Sequence, residues 1–184
     1  MVDILIEKIK KDPGNWLKFE GLFTERKITS RTILLYEGEV ARQVHFIRQG
    51  CLRMWFNKDG KDITFQFFFE GQGVASIDSF LSKQPSLYTI EAIEPSTIIS
   101  INRADLILLQ QEYPEMQDGF QQILFERFRN YAQLFLSRIK DTPQERYHEL
   151  ISDHPEIIKR VPQHYIASYL GITPISLSRI RNRK

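Results

Sequence analysis

The chain has little from which to build a covalent or metal framework. Its 184 residues include one cysteine, Cys51. A lone thiol cannot close an internal disulfide, nor can it supply the thiolates of an iron–sulfur cluster. Cys51 reads as a small core residue. The four histidines, His45, His148, His154 and His164, are scattered, and none stands at ligand spacing beside a cysteine or carboxylate cluster. No metal site is expected. No apolar run approaches the ~20 residues that cross a bilayer. The N-terminus, MVDILIEKIKKDPGNW, alternates charge with aliphatics and has no secretory apolar stretch. A cytoplasmic location is expected. Asp78 and Ser79, or Glu91 and Glu94, could be drawn into a catalytic pair, but any globular chain offers as much. Without a phosphate loop or a nucleophile–base pair in context, no catalytic residue and no enzyme is expected.

One absence is local. From Ile157 to Lys184 there is no Asp or Glu, against six basic residues: Lys159, Arg160, Arg179, Arg181, Arg183 and Lys184. The formal net charge of the whole chain is only +2, so the rest is acidic on balance. A polyanion is the natural partner for such an end.

What is present changes texture along the chain. Ile4, Leu5, Ile9, Trp16, Leu17 and Phe19 give an apolar face to one or two short helices between Val2 and Phe23, broken at Pro13-Gly14. From Arg26 to Ile101, short runs rich in β-branched and aromatic residues alternate with turn signals at Gly38, Gly50, Gly71 and Pro95. Asp59-Gly60, between CLRMWF and ITFQFFF, predicts a tight hairpin. Strands recurring every ~8–12 residues predict a sandwich or barrel. In this region Phe65, Phe67 and Phe69 alternate imperfectly with Gln66 and Phe68, which points to core covered on both faces.

A helical region begins at Asn102-Arg103-Ala104-Asp105. Pro114 can open a second helix reaching about Lys140, interrupted only by Gly119. Phe120, Leu124, Phe128, Tyr131, Phe135 and Ile139 form one stripe on it, flanked by Ile123, Phe125 and Leu134. About 26 residues at 1.5 Å each span ~40 Å, too long for a domain of this size to cover. Dimerisation through Phe120, Leu124, Phe128, Tyr131 and Phe135 is the economical expectation. Thr142, Pro143 and Glu145 then suit the N-cap, N1 and N3 of a further helix.

The last residues, VPQHYIASYLGITPISLSRIRNRK, carry the most specific motif. A helix with Ile166, Tyr169 and Leu170 on one face ends at Gly171, which can take the left-handed C′ conformation. Thr173 caps a second helix with Pro174 in its first position, and Leu177 and Ile180 face inwards. This is the helix-turn-helix pattern, whose second helix enters the DNA major groove. Pro174, Ile175, Ser178 and Arg179 then face bases or backbone. Arg179 can bond guanine bidentately, while Arg181, Arg183 and Lys184 suit phosphates.

With that motif in place the chain resembles the Crp/Fnr family of transcription regulators along nearly its whole length, most specifically over YLGITPISLSRIR. The resemblance implies an α+β fold. A cyclic-nucleotide-binding-like β-roll with flanking helices would occupy 1–113, a dimerisation helix 114–141 and a helix-turn-helix domain 142–184. It implies a homodimer on double-stranded DNA, with RNA polymerase as a further partner. The candidate DNA contacts are Gln163, His164, Thr173, Pro174, Ile175, Ser176, Ser178, Arg179, Arg181, Arg183 and Lys184. Family members that bind cyclic AMP use a Gly-Glu pair and, ten residues after the Glu, an Arg. Those positions fall on Ala75-Ser76 and Ser86 here, so the phosphate has no counter-charge and cyclic AMP is not the expected effector. Another small molecule would meet Ser76, Ile77, Phe80, Ser86, Leu87 and Tyr88; no cofactor is assigned. Pro174 and Ile175 replace polar family positions, so a different operator is expected. Family members usually continue into a β-hairpin wing, whereas this chain stops at Lys184, which is expected to weaken DNA binding. The competing reading is a ligand-binding signalling module that does not bind DNA.

Overall fold

The computed structural model describes residues 2–182. The chain divides into two compact units between Leu106 and Ile107. The first opens with α1 (Val2–Lys10) and α2 (Pro13–Phe19). Pro13-Gly14 was expected to break the helical pattern. Instead Pro13 starts α2, and the break falls on Lys11-Asp12. The reason is chemical: proline has no N–H to leave unbonded at the first helical position. The Asp12 carboxylate meanwhile accepts from Gly14 N at 2.9 Å and Asn15 N at 3.2 Å.

Eight strands follow: β1 (Thr24–Ile28), β2 (Ile33–Leu35), β3 (Gln43–Gln49), β4 (Leu52–Lys58), β5 (Lys61–Phe68), β6 (Gly73–Val74), β7 (Thr89–Ala92) and β8 (Ser96–Asn102). They form two antiparallel four-stranded sheets, ordered β1-β8-β3-β6 and β2-β7-β4-β5. Ile47, Leu52, Met54, Phe68, Ile90, Ile98 and Ile101 are buried in this jelly-roll core. The β4–β5 hairpin turns at Asp59 (φ 53°) and Gly60 (φ 76°), both left-handed as a type I′ turn requires. The imperfect phenylalanine alternation has its cause in a bulge. Met54 pairs with Gln66 but Trp55 pairs with Thr64, leaving Phe65 as the extra residue. Phe67 and Phe68 are then both buried. Gly50, at φ 112°, is required twice over, because a Cβ there would lie 2.0 Å from Ser96 Oγ and 2.8 Å from Ser96 Cα. Between β6 and β7 lies the short helix α3 (Ile77–Ser82).

Helix α4 (Arg103–Glu112) carries the division between the units. The second unit is helical: α5 (Glu115–Lys140), α6 (Pro143–Asp153), α7 (Pro155–Arg160), α8 (Gln163–Leu170) and α9 (Pro174–Asn182). Helix α5 runs 26 residues and passes straight through Gly119. A capping box starts α6: Glu145 N donates to Thr142 Oγ1 at 3.3 Å, and Thr142 N donates to the Glu145 carboxylate at 2.7 Å. Tyr147, Leu150, Ile157, Val161, Ile166, Ala167, Leu170 and Leu177 make the small core beneath.

Candidate functional site

The turn between α8 and α9 is built from sequence-local bonds. Gly171 is left-handed, at φ 71°. Its N–H bonds the Ser168 carbonyl at 3.0 Å, and Ile172 N bonds the Ala167 carbonyl at 2.9 Å, the two bonds of a Schellman end. Thr173 Oγ1 then accepts from Ser176 N at 3.1 Å, capping α9. The Ser176 side chain lies 3.0 Å from the same hydroxyl, so it is engaged within the cap. Leu177 is buried and Ile180 half-buried, which turns the opposite side of α9 outward. Pro174, Ile175, Ser178, Arg179 and Arg181 are exposed there. Gln163 and His164 are exposed in the first turn of α8. Arg183 and Lys184 lie outside the described residues. The surface can therefore present an arginine, a hydroxyl and an apolar side chain from the first turns of a helix whose positive dipole end is uncapped by acid.

The expected effector residues come together only in part. Ser86 Oγ lies 2.9 Å from Ser76 Oγ and 2.7 Å from the Tyr88 carbonyl oxygen. The Ser86 backbone is pinned too, donating to Glu39 O at 2.7 Å and accepting from Gly38 N at 2.8 Å. Burial pushes the Tyr88 phenol above its ordinary pKa; a hydrogen bond with Ser76 opposes this and Asp78 adds to it. The Tyr88 ring meets Phe65 edge-on at 5.1 Å. Phe80 is buried and Ile77 half-buried, but Leu87 is 73% exposed and takes no part in the cluster. Ser76 and Ser86, both buried, are thus bonded to each other.

A buried ionic cluster was not legible beforehand. Arg53 is 1% exposed. Its Nε donates to Glu91 Oε2 at 2.9 Å, Nη1 to Thr64 Oγ1 at 3.0 Å and Nη2 to Asp62 Oδ2 at 3.1 Å, while the guanidinium carbon sits 4.8 Å from the Trp55 ring centre. The only sequence signal is an arginine amid the apolar run CLRMWF. One guanidinium here faces two carboxylates, so the cluster has no spare positive charge for an anion.

On α5, Phe128 and Phe135 are exposed, whereas Phe120, Leu124 and Tyr131 are half-buried. The exposed apolar face also takes in Phe125, Leu136 and Ile139. It is rotated from the expected stripe, with Phe125 part of the face and not merely a flank.

The chain thus joins a jelly-roll of this topology to a helical unit with a 26-residue helix and a terminal helix-turn-helix. Residues 25–113 match the cyclic nucleotide-binding domain family. No curated protein matches the chain. Among solved structures it resembles CLP, the c-di-GMP-responsive global regulator of Xanthomonas campestris. Identity is 16% over 92% of this chain and 89% of that one, with a TM-score of 0.73. FixK2 of Bradyrhizobium japonicum is similar at 19% identity, covering 88% of this chain and 83% of that one, with a TM-score of 0.73. A structure from Eubacterium rectale described as a Crp/Fnr-family transcriptional regulator has 16% identity, covers 88% and 78%, and has a TM-score of 0.69. The fold is that of the Crp/Fnr regulators.

Proposed function

We propose that the protein is a homodimeric, sequence-specific DNA-binding transcription regulator, with a sensor at 1–113, a dimer helix at 114–141 and a DNA-binding domain at 142–184. The observation that carries this is the outward face of α9. It is capped by Thr173, anchored by buried Leu177 and lined by exposed Ile175, Ser178 and Arg179, in a stretch of chain with no acid. The exposed phenylalanines of α5 support pairing of two copies, because an apolar face of this length is costly to leave in water. Two recognition helices then read half-sites ~34–36 Å apart. The mutual bonding of Ser76 and Ser86 supports an effector other than cyclic AMP.

A gel shift against a palindromic duplex selected from a random pool tests the reading. Binding is expected to fall steeply with salt, and added cyclic AMP is expected to change nothing. Arg179→Ala should relax one base pair in each half-site, by about 1–3 kcal/mol of discrimination. An Arg179→Ala protein that discriminates like the wild type removes Arg179 from base reading. A wild type that binds no duplex even at low salt removes the function.

A further inference from the structure

The C-terminus of α8 accounts for its carbonyls in an unusual way. A helix end leaves four carbonyl oxygens without intrahelical donors. The Schellman bonds of Ile172 and Gly171 satisfy two of them, on Ala167 and Ser168. The other two belong to Tyr169 and Leu170, and both are taken by arginines from other helices. Arg138, in the last turn of α5, donates from Nη2 to the Tyr169 carbonyl. Arg146, on α6, donates from Nη2 to the Leu170 carbonyl at 2.9 Å and from Nη1 to the Asp141 carbonyl at 2.6 Å, where α5 ends. Two cations thus converge on the negative end of the α8 dipole. Gly171 is favoured by its positive φ, and a Cβ there would lie 2.5 Å from Arg138 Nη1, so any other residue would displace that guanidinium.

We infer that Arg138 and Arg146 are positioning residues that lock the turn of the helix-turn-helix to the end of α5, so that the recognition helix α9 follows the orientation of the long helix. The inference rests on the DNA-binding reading above, and it assigns to these two arginines a role other than the one their charge first suggests. Cations in a basic domain are ordinarily taken for phosphate contacts. Here one donor of the exposed Arg138 and two of Arg146 are given to backbone carbonyls. An arginine can do this where a lysine does so less well, because its planar fork offers separate donors in fixed directions. Arg146 illustrates the point by bonding the ends of two different helices with one side chain.

The two roles separate in salt. A phosphate contact contributes ~0.9 to the slope of log K against log salt; a positioning contact contributes nothing to it. The test measures binding of a duplex selected by the wild type from a random-sequence pool across a range of salt, and amide hydrogen exchange without DNA, for wild type, Arg138→Gln and Arg138→Lys. For Arg138→Gln, affinity should fall about tenfold, the scale of one charge-assisted hydrogen bond, at unchanged slope. Exchange should quicken at residues 167–173 while α6 and α7 keep their protection, which shows that the domain still folds. Arg138→Lys should recover part of both effects. A slope lowered by about one, or exchange at 167–173 equal to wild type, overturns the inference. If the wild type selects no duplex, the DNA reading falls first and the exchange measurement alone decides whether the lock exists.

Discussion

The jelly-roll buries an ion pair at its centre, whereas the last helix displays its arginines. Arg53 and Glu91 are buried against each other in the roll, and His45 is buried beside Ser100. In α9, Arg179 and Arg181 stand in solvent. The two regions therefore use ionisable groups for different ends. A charge withdrawn from water has to be matched at once by its neighbours, so it serves the uniqueness of the fold. A charge left in water retains its capacity for an outside anion. Ser76 and Ser86 are likewise withdrawn from water, and their hydroxyls bond each other and Tyr88.

The sharpest way to break this contrast is to remove one buried charge. Arg53→Ala leaves the Glu91 carboxylate buried without its counter-ion and should cost about 3–5 kcal/mol in denaturant unfolding. Arg53→Met combined with Glu91→Met should return most of that loss, because no unmatched charge remains at the centre of the cluster. A single substitution that costs less than about 1 kcal/mol would show the cluster to be well hydrated and the contrast false.

His45 comes next. Its pKa is lowered from 6.5 to about 4, first by burial and then by the positive charge of Arg26. The unfolded chain thus binds a proton between those two values that the folded chain refuses. Stability contributed by neutral His45 is complete above pH 6.5 and is lost as pH falls towards 4, by about 3 kcal/mol in all. His45→Gln, which can still bond Ser100, should show a flatter dependence of stability on pH over that window. Parallel curves for the two proteins would show that the ring is protonated in place.

The legible parts of the molecule were those governed by neighbours in sequence. Asp59-Gly60, Thr142–Glu145 and Gly171–Pro174 each fix a turn or cap within a few residues, and each took the expected form. Pro13 was misread because one residue can end a helix or start one, and Asp12 before it decided the matter. The bulge at Phe65 depends on register with another strand. The Arg53 cluster draws partners from 9, 11 and 38 residues away, beyond any local pattern. On α5 the periodicity announces an apolar stripe. Which side of a broad stripe stays exposed is set by what covers the other side, and so Phe125 and Leu136 emerge where Phe120 and Tyr131 are half-covered.

The smallest expected effect sharpens the other half of the contrast. Arg181 is exposed on the last turn of α9, beyond Leu177 and past the positions suited to bases. Its charge should serve phosphate alone. Arg181→Ala is then expected to weaken binding to every duplex equally, by roughly fivefold near 0.15 M salt, and to lower the salt slope by about 0.9. Thermal stability should stay within about 0.5 kcal/mol of wild type, because no buried group loses a partner. Parallel salt titrations of the wild type and the variant, on the selected duplex and on an unrelated one, measure both quantities. A loss confined to the selected duplex would move Arg181 among the base readers. A loss of stability without a change in slope would place it with Arg53, among the charges that hold the fold together.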